Sequence, residues 1–424
     1  MKIGLLGGGQ VGQALWEVLS KENENILNVL GEPLEIKRVL VRNLSKPRII
    51  PNYYLTNNAD EILDDPEIKL VVEVIGGQEP AFSLIKKALE NKKYVVTANK
   101  EVIALFGDEL FKLARKKGVD LGFEASVGGG IPVIKPIKEG LVIDKIKEIC
   151  SILNGTTNYI LTEMEEKKKE FSSALKEAQE RGYAEPNPYN DISGLDSVYK
   201  ISILSSLAFH TTVKPKDVFR EGIEKITLRD IEYAKTLGYT IKLLALAREE
   251  NGSLEIRVHP SMISQNHLLS AVRGVNNAIL FKEERRGEIV LYGPGAGPKP
   301  TAMALLSDIL ELSYSIIHSF PKYYNFAYLY PSKIKPWGEI KTRYYLRFWA
   351  KDKPGVLAQI AKILGENNIS IASVIQKETR IEDEKAEIVI LTHLTLEKNI
   401  QKAISEIQKL PNLEEWNSLI RIEG

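Results

Sequence analysis

Ile3-Gly4-Leu5-Leu6-Gly7-Gly8-Gly9-Gln10-Val11-Gly12 stands at the start of the chain. The first four residues are a short apolar run, long enough for a buried strand. Val11, Leu15, Val18 and Leu19 then recur at helical spacing. Strand, Gly-x-Gly-x-x-Gly and helix in that order build the turn that cradles a dinucleotide pyrophosphate. Gly7 permits the tight turn, with Gly8 inside it. Gly9 lets a phosphate approach the backbone, and Gly12 lets helix and strand pack closely.

A glycine turn alone is a weak signal, and its surroundings strengthen it. Apolar runs at 35–41, 70–75, 93–97 and 119–123 alternate with amphipathic stretches that include 81–91 and 108–117. That alternation predicts a parallel, doubly wound sheet, a Rossmann domain over residues 1–131 within an α/β chain. After the second strand come Val41-Arg42-Asn43, with Lys46 and Arg48 close behind. A site for NAD usually carries an acid here to hold the ribose 2′-hydroxyl, whereas a guanidinium such as Arg42 suits a 2′-phosphate. NADP is therefore expected over NAD, with a solvated basic loop as the bland alternative. Glu35 opens the strand and is badly placed for the ribose. At later strand ends, Gly76 and Gly77 allow close approach to a nicotinamide-ribose edge. Lys100 is equally consistent with a catalytic and an exposed lysine.

The chain has 424 residues, which suggests two to four domains. Lysine plus arginine number 57 against 56 acids, a net charge of +1 that argues against a dedicated nucleic-acid or membrane-surface binder. No apolar run approaches the roughly 18 residues of a membrane span. The amino terminus runs straight into the glycine turn and does not resemble a cleavable signal. One cysteine, Cys150, excludes intrachain disulfides, and its apolar neighbours predict simple burial. A cytoplasmic protein without a zinc site is expected.

Past the last strand of the first domain, Glu124-Ala125-Ser126-Val127-Gly128-Gly129-Gly130-Ile131-Pro132 is glycine-rich. Backbone carbonyls gathered beside a carboxylate suit a hard monovalent cation, sodium or potassium; an interdomain crossover accounts for the turn equally well. A strand over 147–154 and a helix over 159–167 follow. The densest polar cluster is Gly182-Tyr183-Ala184-Glu185-Pro186-Asn187-Pro188-Tyr189-Asn190-Asp191, running into Ile192-Ser193-Gly194-Leu195-Asp196 and Lys200. Asp196 and Lys200 are four apart, on one helical face. By spacing alone this is an ordinary surface ion pair. The adjoining loop adds Glu185 and Asp191, and one ammonium among three carboxylates is a plausible cradle for an amino-acid zwitterion, with a proton donor in it.

These residues resemble homoserine dehydrogenase over the whole chain. From Ala178 to Lys200 the family's long signature is matched throughout. Asn99-Lys100-Glu101, Asn154-Gly155-Thr156-Thr157-Asn158 and Gly293-Pro294-Gly295-Ala296-Gly297 also fit, in the family's order. The resemblance implies that Lys200 exchanges the proton of the hydroxyl or carbonyl oxygen, and that Asp196 orients it and touches substrate. It implies that Glu185 binds the substrate amino group with Asp191 nearby, and that Lys100 contacts cofactor and substrate. Gln10 and Val11 would meet the cofactor phosphates, although threonine is frequent in the family where Gln10 stands. Gly182 and the Gly297 turn would also contact the cofactor. Glu124, with the carbonyls of Val127, Gly129 and Ile131, would hold the monovalent cation. The implied domains are an α+β substrate-binding, catalytic and dimerisation domain over 132–300 and a helix over 301–320 that completes the Rossmann sheet. A homodimer or dimer of dimers is the implied assembly.

A proline-rich linker is expected over 331–342. Residues 343–424 then read strand, helix, strand, strand, helix, strand, at 343–350, 354–367, 369–377, 386–394, 396–410 and 418–423. This is a ferredoxin-like βαββαβ unit. Asp352-Lys353-Pro354-Gly355-Val356-Leu357 at its first strand–helix turn resembles the ACT domain, a regulatory module that binds amino acids. With this tail, the family resemblance implies feedback by threonine; a dimerisation module that has lost its ligand is the alternative. The implied reaction is the nicotinamide-dependent interconversion of L-homoserine and L-aspartate 4-semialdehyde in biosynthesis of threonine, methionine and isoleucine. Aspartate-semialdehyde dehydrogenase is rejected because its chemistry needs a cysteine thiolate. A fused aspartate kinase is not expected ahead of a strand that starts at residue 3. A non-catalytic sensor would have no need of Lys100, Glu185, Asp196 and Lys200 together.

Overall fold

The structure, a computed structural model, describes residues 1–141, 143–319, 333–380 and 385–424. Residue 320 of the expected helix and residues 331–332 of the expected linker lie outside these. The chain divides into two compact units, Met1–Ile149 with Asp196–Val218 and Val275–Ser332, and Cys150–Leu195 with Phe219–Gly274 and Lys333–Gly424.

In the first unit, six parallel strands form one sheet in the order Leu55–Thr56, Glu35–Leu40, Lys2–Leu6, Ile68–Glu73, Tyr94–Thr97, Leu121–Gly122. Chain order reverses beside Lys2–Leu6, which is where a doubly wound sheet binds its ligand. Leu70, Val71 and Val72 are all fully buried, because helices cover both faces and each strand is apolar on both sides. The helix Pro298–Ile317 supplies Ala302, Leu305, Ile309 and Leu312 to the same core as Ile3, Leu5 and Leu15. A hairpin of Asn276–Glu283 and Gly287–Pro294 also belongs to this unit.

In this unit two boundaries differ most from expectation. The helix expected over 108–117 starts eight residues earlier, as Lys100–Lys117, because the Asn99 side chain accepts from Val102 N and caps it. The last strand shrinks to Leu121–Gly122, and Glu124–Ser126 becomes a 3₁₀ turn. A Cβ on Gly122 would come within 2.8 Å of Asp308, so Pro298–Ile317 packs directly against that strand.

The second unit contains the helix Gly155–Lys167, the antiparallel hairpin Tyr239–Glu250 and Ser253–Ser264, and the carboxy-terminal module. The module's strands lie in the order Leu413–Glu423, Lys341–Lys351, Lys385–Thr392, Ile371–Arg380, all antiparallel, with helices Val356–Glu366 and Glu397–Ile407 packed on them. This is the ferredoxin-like arrangement. Its last strand begins at Leu413 rather than 418; bulges opposite Arg347/Phe348 and Trp349/Ala350 break the alternation that marks a strand in sequence. The same strand pairs in parallel with Ser253–Ser264 through Ser261 and Arg421, so module and hairpin share one sheet.

Candidate active site

The glycine turn after Lys2–Leu6 is shaped by close backbone contacts. Gly7 has φ +120°, and a Cβ there would meet Val74 O at 2.9 Å; a Cβ on Gly12 would meet Gly7 O at 2.0 Å. Gly9 is the N-cap of Gln10–Lys21, and a Cβ on it would meet nothing within 4 Å. The open side of the turn therefore lies at a helix N-terminus, where a phosphate is stabilised by the aligned N–H groups. Gln10 is exposed at the first helical position. Arg42 is exposed beyond the second strand, while Arg48 is engaged by main-chain carbonyls, donating to Gly8 O at 3.0 Å and to Asn43 and Lys46 O at 2.9 and 2.8 Å. Glu35 pairs with Lys2 at the opposite end of its strand.

From this turn a cavity of about 270 Å³ runs past Val11, Ile75 and Gly76 to Lys100 and Lys200, with Gly295 and Ala296 on its wall. Gly76 and Gly77 have φ +81° and +73°, a left-handed pair that folds the Val74–Gly77 turn back on itself. Gly297, at φ +120°, caps the helix Pro298–Ile317 on the other side. Glycine-lined walls at both a strand end and a helix start fit a bound nicotinamide dinucleotide.

At the far end of the cavity the carboxylate of Asp196 lies between two ammonium groups. Lys200 Nζ donates to Oδ2 at 2.7 Å, and Lys100 Nζ pairs with Oδ1. Asp196 and Lys200 come from successive turns of Leu195–Ala208, and Lys100 stands at the first position of its own helix, set there by the Asn99 cap. Burial opposes the Asp196 charge, yet the Lys100 and Lys200 ammonium groups outweigh it and hold the carboxyl well below the usual carboxylate range. The i,i+4 pair was legible in sequence; its sharing with Lys100 was not, because the partner lies on a separate helix. Cys150 is buried, as its neighbours predict.

Glu124 is buried beneath the glycine-rich turn. Its carboxylate accepts from Val133 N at 2.6 Å, Ile134 N at 2.8 Å and Lys135 N at 2.8 Å. Gly128 and Gly129 have φ +78° and +58°, and a Cβ on Gly129 would meet Gly295 C at 2.5 Å. The carboxylate thus braces the turn through the N–H groups of Val133, Ile134 and Lys135.

In the second unit, Gly182 at φ +74° begins the polar loop. Thr156 Oγ1 donates to Tyr183 O at 2.7 Å, and Glu185 is exposed with its carbonyl accepting from Gln179. Asp191 is half-buried and accepts from Asn154 Nδ2 at 2.7 Å. Asn154 also caps Gly155–Lys167 by accepting from Thr157 N. The sequence placed Asn154 in a motif without assigning it this contact. In the carboxy-terminal module, Gly355 at φ +89° caps Val356–Glu366. Asp352 and Pro354 are exposed beside it, Val356 is buried, Leu357 half-buried, and Asp352 accepts from Gln376 at 3.2 Å.

Family models match three segments of the chain: the homoserine dehydrogenase NAD-binding domain at residues 7–124, homoserine dehydrogenase at 132–310 and the ACT domain at 344–412. Homoserine dehydrogenase of Neisseria gonorrhoeae is 43% identical over 430 residues, covering 100% of this chain and 99% of the relative. The crystal structure of a homoserine dehydrogenase from Thiobacillus denitrificans is 41% identical with a TM-score of 0.94, covering 100% of this chain and 98% of that one. A hyperthermophilic archaeal homoserine dehydrogenase solved in complex with NADPH is 28% identical with a TM-score of 0.63, covering 76% of this chain and 98% of its own. Among the described residues no helix is long and apolar enough to cross a membrane.

Proposed function

The chain belongs to the homoserine dehydrogenase family, and from that premise we propose how its residues divide the interconversion of L-homoserine and L-aspartate 4-semialdehyde among them. The observation that carries the reading is Asp196 held between Lys100 and Lys200 at the end of a glycine-walled cavity. A nicotinamide cofactor bound there supplies the hydride acceptor or donor. Lys200 gives its ammonium proton to the aldehyde oxygen in the direction of homoserine, and takes the hydroxyl proton in reverse. Asp196 keeps the Lys200 Nζ in one place and touches substrate. Lys100, on the second oxygen of Asp196 and on the cavity wall, contacts cofactor and substrate. Glu185 takes the substrate ammonium, with Asp191 beside it on the same loop.

NADP is the proposed working cofactor, supported by the exposed Arg42 and by the relative solved with NADPH; NAD is the alternative. Gly7, Gly8, Gly9 and Gly12 admit its pyrophosphate at Gln10 and Val11, while Gly76, Gly182 and Gly297 lie along the rest of it. Glu124, with the carbonyls of Val127, Gly129 and Ile131, holds a sodium or potassium ion at the turn. Threonine is the proposed effector, its carboxylate received by the N–H groups of the Asp352–Leu357 turn. A cytoplasmic homodimer or dimer of dimers completes the reading, on family resemblance.

Absorbance at 340 nm with L-homoserine, offering NADP⁺ and NAD⁺ separately, tests it. Wild type is expected to reduce NADP⁺, and Lys200→Ala to lose about 10²–10⁴-fold in kcat. Added L-threonine is expected to suppress wild-type turnover. Silence with both cofactors, and with semialdehyde in the reverse direction, contradicts the reading.

A further inference from the structure

The cavity wall formed by Val74, Ile75 and Gly76 is tied to a buried acid. Glu73 ends the strand Ile68–Glu73 and is fully buried, directly before a turn with two left-handed glycines. Its carboxylate makes contacts on both oxygens. Oε1 accepts from Ile75 N at 2.6 Å and from Gly76 N at 3.4 Å, while Oε2 accepts from Thr97 Oγ1 at 2.6 Å. Thr97 Oγ1 in turn accepts from Asn99 N at 2.9 Å. Asn99 then closes the circuit, donating from Nδ2 to Gly77 O at 2.7 Å while its Oδ1 caps the helix that begins with Lys100. One chain of hydrogen bonds therefore sets both the 75–77 turn and the start of the Lys100 helix.

Such an acid is expensive as a purely structural device. Burial pushes the Glu73 carboxyl up, against its hydrogen bonds from Thr97, Ile75, Gly76 and Asn99. An apolar residue would fill the end of a buried parallel strand at less cost. What an apolar residue lacks is the ability to accept from the turn's N–H groups, and two consecutive glycines leave the second half of that turn without side chains to hold it.

We propose that Glu73 is a positioning residue for the cofactor, holding the Ile75-Gly76-Gly77 turn against the nicotinamide end through its contacts to Ile75, Gly76 and Thr97. The inference rests on the dehydrogenase reading of the cavity. Glu73 touches neither substrate nor the reacting atoms in this account; it acts through the turn. Its loss weakens cofactor binding first; Asn99, which caps the Lys100 helix, keeps its own bonds to Thr97, Gly77 and Val102, so recognition of homoserine stays nearly intact.

The test measures NADPH affinity by fluorescence, together with the KM values for NADP⁺ and homoserine, in wild type, Glu73→Ala, Glu73→Gln and Thr97→Val. Glu73→Ala is expected to raise the NADPH Kd and the NADP⁺ KM about tenfold or more, the loss of buried hydrogen bonds to the turn. The homoserine KM is expected to stay within about twofold. Glu73→Gln keeps an acceptor for the turn and is expected to recover most of the loss, and Thr97→Val to fall between. A folded Glu73→Ala with wild-type NADPH affinity overturns the proposal. If that variant does not fold, wild-type affinity in Thr97→Val overturns it instead. Wild type that binds NADPH yet leaves homoserine unoxidised sinks the dehydrogenase reading separately, since the affinity series does not depend on turnover.

Discussion

Two clusters of buried charge, one in each unit, are built from different bases. In the first unit, Asp196 serves Lys100 and Lys200 at the wall of a cavity. In the second, Asp230 and Glu387 are fully buried around Arg347. All three guanidinium nitrogens of Arg347 are bonded, Nε to Asp230 at 2.8 Å, Nη1 to Glu387 at 3.1 Å and Nη2 to Thr227 Oγ1 at 2.9 Å. Arg229 and Tyr233 complete Glu387, and Thr227 and Ser418 complete Asp230. An arginine keeps its charge at any working pH, whereas a lysine can give its proton up. On the proposed reading, lysines stand where a proton moves; the arginines lock the carboxy-terminal module to the helix Leu228–Thr236. Arg421, bonded to Glu397 and Glu221, repeats the second pattern on the neighbouring strand.

The contrast breaks if both clusters respond alike to loss of an acid. Asp196→Asn is expected to have the largest effect, because it harms chemistry and fold together. Turnover should fall about 10²-fold or more as Lys200 loses its anchor. Unfolding by urea should show a loss of about 3–5 kcal/mol, since two ammonium groups are left facing a neutral amide. Arg347→Met comes next. It takes the guanidinium from Asp230 and one of two from Glu387, and is expected to cost about 3–5 kcal/mol in the same urea measurement. Its kcat for homoserine, measured well below the melting transition, should remain near wild type.

A pH-dependent effect sharpens the electrostatics of the first unit. Burial pushes the Asp308 carboxyl up to about 7, against the pull of Lys135 and of Glu124 N. The folded chain thus keeps a proton that the unfolded chain releases near pH 4. Stability is expected to fall as pH rises from about 4 to about 7, by up to about 1.4 kcal/mol per unit. Urea midpoints across that window should be flatter in Asp308→Asn, and an unchanged slope contradicts the assignment. The smallest effect is at Asn154. Removing its cap in Asn154→Ala should cost about 1 kcal/mol by thermal unfolding. Because Asp191 loses its donor as well, the homoserine KM should rise with kcat less affected; an unmoved KM argues that Asp191 needs no such support.

Much of this was legible in the sequence, and the residues show why the rest was not. Gly7, Gly9 and Gly12 carry the dinucleotide turn because backbone approach demands glycine at fixed spacing. Asp196 and Lys200 are adjacent by helical geometry alone. Lys100 is 96 positions before Asp196, and its place on the same carboxylate depends on the tertiary fold. Glu73 hides as the last residue of an apolar strand; its sequence signal is an acid three positions before the first of two glycines, and only the glycines of that turn point to a cofactor. Glu124 shows a different limit: its charge suggested a cation, and nothing in the sequence shows that its oxygens also accept from three backbone N–H groups. The arginine cluster was invisible because Asp230, Arg347 and Glu387 come from distant segments and each resembles an ordinary surface charge.

The sharpest single measurement is the steady-state rate of homoserine-dependent NADP⁺ reduction at 340 nm in Lys200→Arg beside wild type. The substitution keeps a cation on Asp196 but replaces a lysine, which can give its proton up, with a guanidinium that cannot. If Lys200 is the proton-transfer group, the variant folds, binds NADPH and turns over at least about 100-fold more slowly. A Lys200→Arg enzyme with wild-type kcat would contradict the central assignment and reduce the Asp196 pair to structure.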